Sequence, residues 1–503
     1  MKSSHFFVTL MLGLGLAVFT KVAFATTPVV TVTSPRNGSQ DGSPVNFTAS
    51  ASSPECSAGI AAMRIYTASG VDAYTVDSNS LNVSINLPLG SYNTVVQAWD
   101  NCGGVGKTTV NIKVSKINLP PPKFLYATEF EAGRIAEYVV DPLTGSVTPT
   151  SQGSTWAHWG PVDIASDLGG YRLYVANQGS EDLDAYFIDR DTGNLTEVPG
   201  SPFALGADGI RVVVHPSGDF VYATSASPYP DSYVNAFKVQ SNGSLTPVYG
   251  SPYALNSGTT GALAMDPSGT YLYTYTNISG SAASVAGYAV DETSGALTPI
   301  PGSPFPDPTY PGCTQFCTDG ASDLAVDPTG NYLYGAEGAE DALSGFKIDR
   351  ATGTLTPLPG SPYAEGSYNS SDNSEPKSPG RLSIDPSDKF IYLADSEGND
   401  FSVFALNAKS GVPTFEASIG NSSHYCLPGL EAPLTVFVDP SGSFVYSQGI
   451  DRNYCSGPVT SNALIGFSIS QENGYLQAVP GSPFANSDLN TSNSSQEKVV
   501  VMQ

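Results

Sequence analysis

Charge is what this chain has least of. Only 13% of its 503 residues are Asp, Glu, Lys or Arg, and the 21 cations are outnumbered by 46 acids. A formal net charge of -25 repels nucleic acid and anionic membrane surfaces. It also disfavours polyanionic substrates. Past residue 25 no apolar run is long enough to cross a bilayer, so no membrane insertion is expected. Histidine occurs four times and tryptophan three. Neither a G-x-S-x-G nor an H-E-x-x-H segment is present, which leaves serine-hydrolase and zincin chemistry without a motif.

The one apolar run, Phe6 to Phe19, follows Lys2 and precedes the small-x-small site Ala23-Phe24-Ala25. That is the pattern of a cleaved export signal over residues 1–25. No Cys follows it, so a lipid anchor is not expected, and the protein is expected outside the cytoplasm, extracellular or periplasmic. The signal carries two lysines and no acid, so the remainder bears -27. Six cysteines in an exported chain suggest disulfides, and position pairs Cys56 with Cys102, Cys313 with Cys317, and Cys426 with Cys455. A zinc site at Cys313-x3-Cys317 would need two further ligands, and Asp189-x-Asp191-x-Gly193 matches parallel strand turns better than an ion loop. No metal and no cofactor is expected.

A nine-residue phrase recurs: LTEVPGSPF at Leu195–Phe203, LTPVYGSPY at Leu245–Tyr253, LTPIPGSPF at Leu297–Phe305, LTPLPGSPY at Leu355–Tyr363 and LQAVPGSPF at Leu476–Phe484. Out of phase with it runs a D-P-S-G phrase ending in Tyr126, Tyr174, Tyr222, Tyr273, Tyr334, Tyr392 and Tyr446, at gaps of 48, 48, 51, 61, 58 and 54 residues. Such a period means an array of one folding unit. Each unit reads as four antiparallel strands, for example Leu324–Asp327, Tyr332–Gly335, Ser344–Ile348 and Leu355–Leu358. Proline in the last strand places it on an outer edge. Seven units predict an all-β, seven-bladed β-propeller over 124–503, with Val499–Val501 expected beside Leu125–Thr128 to close the ring.

Residues 27–115 read as seven short strands of a β-sandwich, and Lys116–Lys123 as a Pro-rich linker. Gly103-Gly104-Val105-Gly106-Lys107-Thr108 imitates a phosphate-binding loop, but a strand pattern follows it, not a helix.

Tight D-P-S-G and T-G turns fall on one face of the propeller. The long loops Pro306–Ser322, Ala364–Gly380, Ser418–Pro433 and Ile450–Asn462 fall on the other. Two polar rings should border the funnel there. Before the inner strands stand Asp163, Arg211, Ala262, Asp323, Arg381, Thr435 and Lys498. Three residues past each key tyrosine stand Glu129, Asn177, Ser225, Thr276, Glu337, Asp395 and Gly449. Asp163, Arg211, Asp323 and Arg381 are the catalytic candidates, since guanidiniums can hold a carbonyl while carboxylates direct water. The alternative is a satisfied salt-bridge ring lining the channel. Trp156, His158 and Trp159 crowd one loop as a sugar-stacking platform or as loop packing. His424 is expected at the same mouth, and His215 replaces Asp in a turn on the other face.

The segments LYVANQGSEDLDAYFIDRDTGNLTEVPGSPF (from Leu173) and FLYATEFEAGRIAEYVVDPLTGSVTP (from Phe124) resemble the lactonase-type seven-bladed propeller family, which includes bacterial 6-phosphogluconolactonase and a fungal muconate-lactonizing enzyme. The likeness spans about 124–503. It implies hydrolysis of a lactone or similar cyclic ester. The chain is expected to act as a monomer. Where that family carries a G-P-R-H-type segment, this chain has Asp208-Gly209-Ile210-Arg211 and Pro379-Gly380-Arg381. The stretch SYNTVVQAWDNCGG resembles a bacterial immunoglobulin-like module. The other class of function open to the chain is a non-catalytic binding or scaffold propeller recognising a glycan or protein.

Overall fold

A computed structural model describes residues 27–502 apart from 36, 42–44, 69, 86, 88–89, 115–122, 227–231, 256–261, 277–283, 309–320, 338–341, 366–378, 396–399, 421–432, 434, 450–462 and 485–498. The signal segment, most of the linker, the four cysteines from Cys313 to Cys455, His424 and Lys498 lie outside the described residues. Every described element is a strand or bridge. The chain divides into two compact units, one ending at Ser115 and one starting at Lys116.

In the first unit, apolar and polar residues alternate along strands such as Val45–Ser52, so each strand buries one side. Val29–Ser34, Val45–Ser52 and Ser80–Ile85 form one sheet. Ser39–Asp41, Val105–Val114, Gly90–Asp100, Ile60–Ala68 and Val71–Val76, in that order, form the other. Phe47, Met63, Ile65, Val96, Val110 and Ile112 fill the space between. Eight strands appear where sequence spacing suggested seven. Val71–Val76 escapes a pattern reading because it is a largely exposed edge strand without an apolar stripe. Cys56 and Cys102 are bridged and join two loops. Buried Asp100 braces that corner by accepting Cys102 N, Gly104 N and Ser53 Oγ at 3.0, 2.7 and 2.7 Å. The phosphate-loop imitation runs directly into Val105–Val114, so the helix that a nucleotide site needs is replaced by a strand.

The second unit contains seven sheets. In each, consecutive strands pair antiparallel. The inner strands Pro161–Ser166, Asp208–Val214, Leu263–Met265, Ala321–Val326, Pro379–Ile384 and Phe437–Val438 lie side by side in order. Val499–Met502 lies beside both the last and the first of these, and pairs Val499 with Ala127 and Val501 with Leu125.

The nonapeptide does more than supply one outer strand. In the blades beginning at Pro161, Asp208, Leu263 and Ala321 the outer edge is two short pieces, such as Leu195–Glu197 and Phe203–Ala204, both paired with Asp182–Ile188. Between them the third strand would lose a partner. The serine of the phrase fills that gap. Ser201, Ser251, Ser303, Ser361 and Ser482 Oγ accept the backbone N–H of Ala185, Ala236, Gly287, Gly345 and Gly466 at 2.9–3.2 Å. A buried amide thereby keeps its hydrogen bond where the ladder breaks.

The key tyrosines tie one blade to the next. Tyr126, Tyr222, Tyr273, Tyr334, Tyr392 and Tyr446 donate their hydroxyls to the carbonyls of Gly193, Gly295, Gly353, Gly411, Gly474 and Gly145 at 2.6–2.9 Å. The last bond links the seventh blade to the first. Each of these glycines has positive φ and faces an aromatic ring two residues before the tyrosine, as Gly193 faces Phe124. A Cβ on Gly193 would fall 2.4 Å from that ring. Burial pushes the phenols upward, so they remain protonated donors.

Blade two is the exception. Tyr174 Oη is buried and makes no hydrogen bond among the described residues. The facing turn is one residue shorter: Gly243 N bonds Gln240 O, whereas Gly193 N bonds Asp189 O. Arg172 also stands where the other blades carry the aromatic ring. Two substitutions separate latch from packing. Tyr446→Phe should cost about 1–2 kcal/mol, because the Gly145 carbonyl loses its donor. Tyr174→Phe should stay within about 0.5 kcal/mol of the parent or gain stability. Urea unfolding midpoints of the two variants measure the difference, and equal losses would refute the latch.

Candidate functional site

Four inner strands begin with a bulge. Register skips one residue between Pro161 and Asp163, Gly209 and Arg211, Ala321 and Asp323, and Pro379 and Arg381. A bulge re-aims the side chain that follows it and releases the bulged residue's backbone from the ladder. Both effects are used. Arg381 Nη2 donates to the carbonyl of bulged Val162 at 3.5 Å, and Arg211 Nη2 to that of bulged Ser322 at 3.0 Å. Each guanidinium thus reaches from its own blade to a non-adjacent one.

The two acids point sideways. Asp163 Oδ2 accepts Val212 N of the next inner strand at 2.7 Å, and Asp323 Oδ2 accepts Leu382 N at 3.2 Å. Their other oxygens meet the cations. Asp163 Oδ1 lies 3.4 Å from Arg381 Nη1, while Asp323 Oδ1 lies 3.9 Å from Arg381 Nη1 and 4.0 Å from Arg211 Nε. Blades two and three therefore repeat the arrangement of blades five and six, so the quartet has a pseudo-two-fold relation. All four predicted catalytic candidates meet. The satisfied-ring alternative also has support, because both carboxylates are committed to backbone amides. The guanidiniums are less committed: Arg211 Nε and Arg381 Nη1 are buried and make no hydrogen bond among the described residues. Burial first, then the Arg381 charge, pushes Arg211 down to about 10, so it stays a cation at neutral pH.

The remaining ring positions divide. Ala262 and Thr435 are buried, with Thr435 Oγ1 accepting Gln448 N at 2.9 Å. Glu129 and Asp395 are buried. Ser225 Oγ accepts Asn235 Nδ2 at 2.8 Å, and Thr276 donates to Ser284 O. Glu337 Oε1 accepts Ser344 Oγ at 2.6 Å. Asp307 accepts the Tyr275 hydroxyl and is influenced by nearby Glu337. Burial raises Asp307 to about 6. Asp307 was not singled out from sequence, because its neighbours come from two other strands.

Asn177 belongs to a second cluster that the sequence showed only in part. His158 Nδ1 lies 2.7 Å from Asp184 Oδ1, and His158 N donates to Asp184 Oδ2 at 2.9 Å. Asn177 Nδ2 donates to Asp182 and Asp184 at 2.8 and 2.9 Å, and Tyr186 Oη to Asp184 Oδ2 at 3.1 Å. Asp184 is fully buried, and its charge is met by His158 N, His158 Nδ1 and Asn177 Nδ2, while the Tyr186 hydroxyl is shared between it and the Trp156 carbonyl. Ligand atoms of His158, Asp182 and Asp184 lie within 4.8 Å of one another, the spacing a metal would need, yet these same atoms are spent on hydrogen bonds among themselves and Asn177. Trp156 and Trp159 flank His158 and are 68% and 64% exposed. The sequence signal for Asp184 and Tyr186 lay in the D-x-D-A-Y segment, whose acids a strand would normally point to water.

A family model described as "Lactonase, 7-bladed beta-propeller" matches residues 94–209 and 263–426, more than half of the chain. Its first segment begins inside the first unit, on the strand Gly90–Asp100. No curated protein matches the chain. Among solved structures, the periplasmic gluconolactonase of Pseudomonas aeruginosa is 19% identical with a TM-score of 0.56, over 71% of this chain and 95% of that one. A Bacteroides uniformis protein assigned as a candidate 6-phosphogluconolactonase is 16% identical, also at 0.56, over 71% and 95%. A Desulfotomaculum acetoxidans protein of unknown function is 14% identical at 0.52, over 76% and 99%. At these identities the likeness is one of fold.

Burial alone would lower the basicity of His158, but the charge and hydrogen bond of Asp184, with Asp182 and Glu197 beyond, raise its pKa overall. A raised folded-state value favours the fold at low pH, and that contribution is lost as pH rises through it. NMR titration of the imidazole should show a midpoint above the ordinary histidine value, and Asp184→Asn should bring it down. An unchanged midpoint in Asp184→Asn would show that the carboxylate does not hold the ring.

Proposed function

We propose, from the premise that the chain belongs to the seven-bladed β-propeller lactonase family, that it is an exported hydrolase of a lactone or similar cyclic ester, working at the arginine-lined axis. The observation that carries this reading is the pair of buried guanidinium donors, Arg211 Nε and Arg381 Nη1, which make no hydrogen bond among the described residues and converge around Asp323. An ester carbonyl oxygen suits such donors. As water adds to the carbonyl carbon, negative charge builds on that oxygen, and fixed cations in a buried setting stabilise it more than they stabilise the ground state. Asp323 is the more accessible acid and is assigned to direct the water. The ring C–O bond then breaks, and the water's protons end on the new carboxyl and hydroxyl groups. Asp163 is fully buried and acts as a positioning residue that holds Arg381.

Export rests on the N-terminal signal pattern and the Cys56–Cys102 bridge, and it agrees with a fold neighbour that is periplasmic. We infer further that Val499–Met502 closes the propeller ring, that the first unit is an immunoglobulin-like module joined by the Pro-rich linker, and that the protein acts as a monomer.

Turnover of D-glucono-δ-lactone and a panel of γ- and δ-lactones tests the assignment. Arg211→Gln and Arg381→Gln should each lower kcat/KM by about 100-fold, with circular dichroism confirming the fold. If both folded variants keep parental turnover, the axis is not the catalytic centre. If the parent opens no lactone in the panel, the activity itself is wrong.

A further inference from the structure

We propose that the top of blade two carries a binding site for a neutral sugar ring, with the Trp159 indole as its stacking floor and His158 as its hydrogen-bonding group. This goes beyond ester hydrolysis at the axis and does not rest on it.

The segment 156–160 is anchored on both sides. Ala157 N donates to Gly133 O of the first blade, while Trp159 O and Gly160 O accept Ser180 N and Gln178 N of the second. Trp159 is exposed yet fixed, since its ring lies against the backbone of Gly179. A Cβ there would fall 2.5 Å from the indole Cε3, so only glycine allows the ring to lie that close. The indole rests on the chain with one face and remains 64% exposed. Trp156 is arranged alike, with the Arg134 guanidinium 4.2 Å over its ring. Two of the three tryptophans in a 503-residue chain are thus held in the open, three positions apart. Exposed indoles on a braced backbone suit an amphipathic ligand.

His158 stands between them. Asp184 takes its Nδ1 and its backbone N–H, so the ring cannot turn. Nε2 remains as the nitrogen with no hydrogen bond to a described residue. Neutral, it accepts from a hydroxyl; protonated, it donates to one. A pyranose offers both partners, apolar C–H faces for an indole and hydroxyls at its rim. The charged groups around His158 are Asp182, Asp184 and Glu197, with Arg134 already over Trp156. That surplus of negative charge, in a chain of net charge -25, selects a neutral sugar over an acidic one.

The test uses the mature full chain with 15N-labelled tryptophan, whose indole signals are assigned by substitution. Methyl glycosides of glucose, galactose, mannose and N-acetylglucosamine, cellohexaose, and D-glucuronate are titrated in turn. The expected result is a saturable shift of the Trp159 signal with at least one neutral sugar. Affinity should fall at least about tenfold in Trp159→Ala, less in Trp159→Phe, and measurably in His158→Ala. Tighter binding of cellohexaose than of the monosaccharide assigns a polymeric source, and equal binding a free sugar. No saturable shift with any neutral sugar overturns the site. So does unchanged affinity in folded Trp159→Ala, or glucuronate binding as well as the neutral rings.

Discussion

A tyrosine hydroxyl bonded to a glycine carbonyl of the next blade is the contact on which the rest of the second unit depends. Antiparallel ladders hold each sheet together but say nothing about how one sheet meets another. The tyrosines supply that information. Each is fully buried within its own blade and spends its one donor on the turn of its neighbour. The bond is directional, and the glycine beneath the aromatic ring sets the distance of approach. Six such contacts fix six blade angles, and the bond from Tyr446 to Gly145 bridges 301 positions of sequence. Packing of apolar faces alone would allow sliding. The polar bond makes one register far better than its neighbours.

That precision is what the axis requires. Arg381 and Arg211 reach bulge carbonyls on distant blades, and Asp163 and Asp323 reach amides on adjacent ones. A shift of about 1 Å in blade spacing would carry these bonds, now 2.7 to 3.5 Å long, past hydrogen-bonding distance. Buried ion pairs pay a desolvation cost, so this quartet is weak evidence for stability. It is better explained as a device that selects one arrangement of blades.

Much of the architecture was legible because it repeats. The spacing of the tyrosines gives the number of blades, and the step before each inner strand gives Asp163, Arg211, Asp323 and Arg381. What repetition cannot reveal is a function for residues that look alike for another reason. The serine of the nonapeptide reads as turn composition, yet it replaces a missing ladder partner. The bulges were invisible because Val162, Ile210, Ser322 and Gly380 share no residue type. Asp184 was invisible because its partners, His158, Asn177 and Tyr186, come from a loop and two strands. Sequence periodicity reports the register within a strand; it does not report which side chains converge from three elements.

The places where the repeat fails carry the most chemical meaning. Seven blades cannot be related by a true two-fold axis, so the quartet's symmetry has to be built by making blades unequal. Blades two and five carry the acid, blades three and six the arginine, while Ala262 and Thr435 offer no charge at the same step of blades four and seven. Blade two departs further. It loses its aromatic to Arg172 and its latch to a short turn, and the same blade holds Asp184 and the glycine on which Trp159 rests. At the step of its third strand where Asp184 is buried, other blades carry small uncharged residues, such as Ala136, Ala286, Ser344 and Ser402. A buried carboxylate costs several kcal/mol unless donors surround it, on the order of the whole margin of a domain. Asp184 meets that cost with donors from the His158 loop and from Asn177 and Tyr186. The loop is therefore held by the very charge it shields, and the imidazole and the indole beside it are positioned as a consequence.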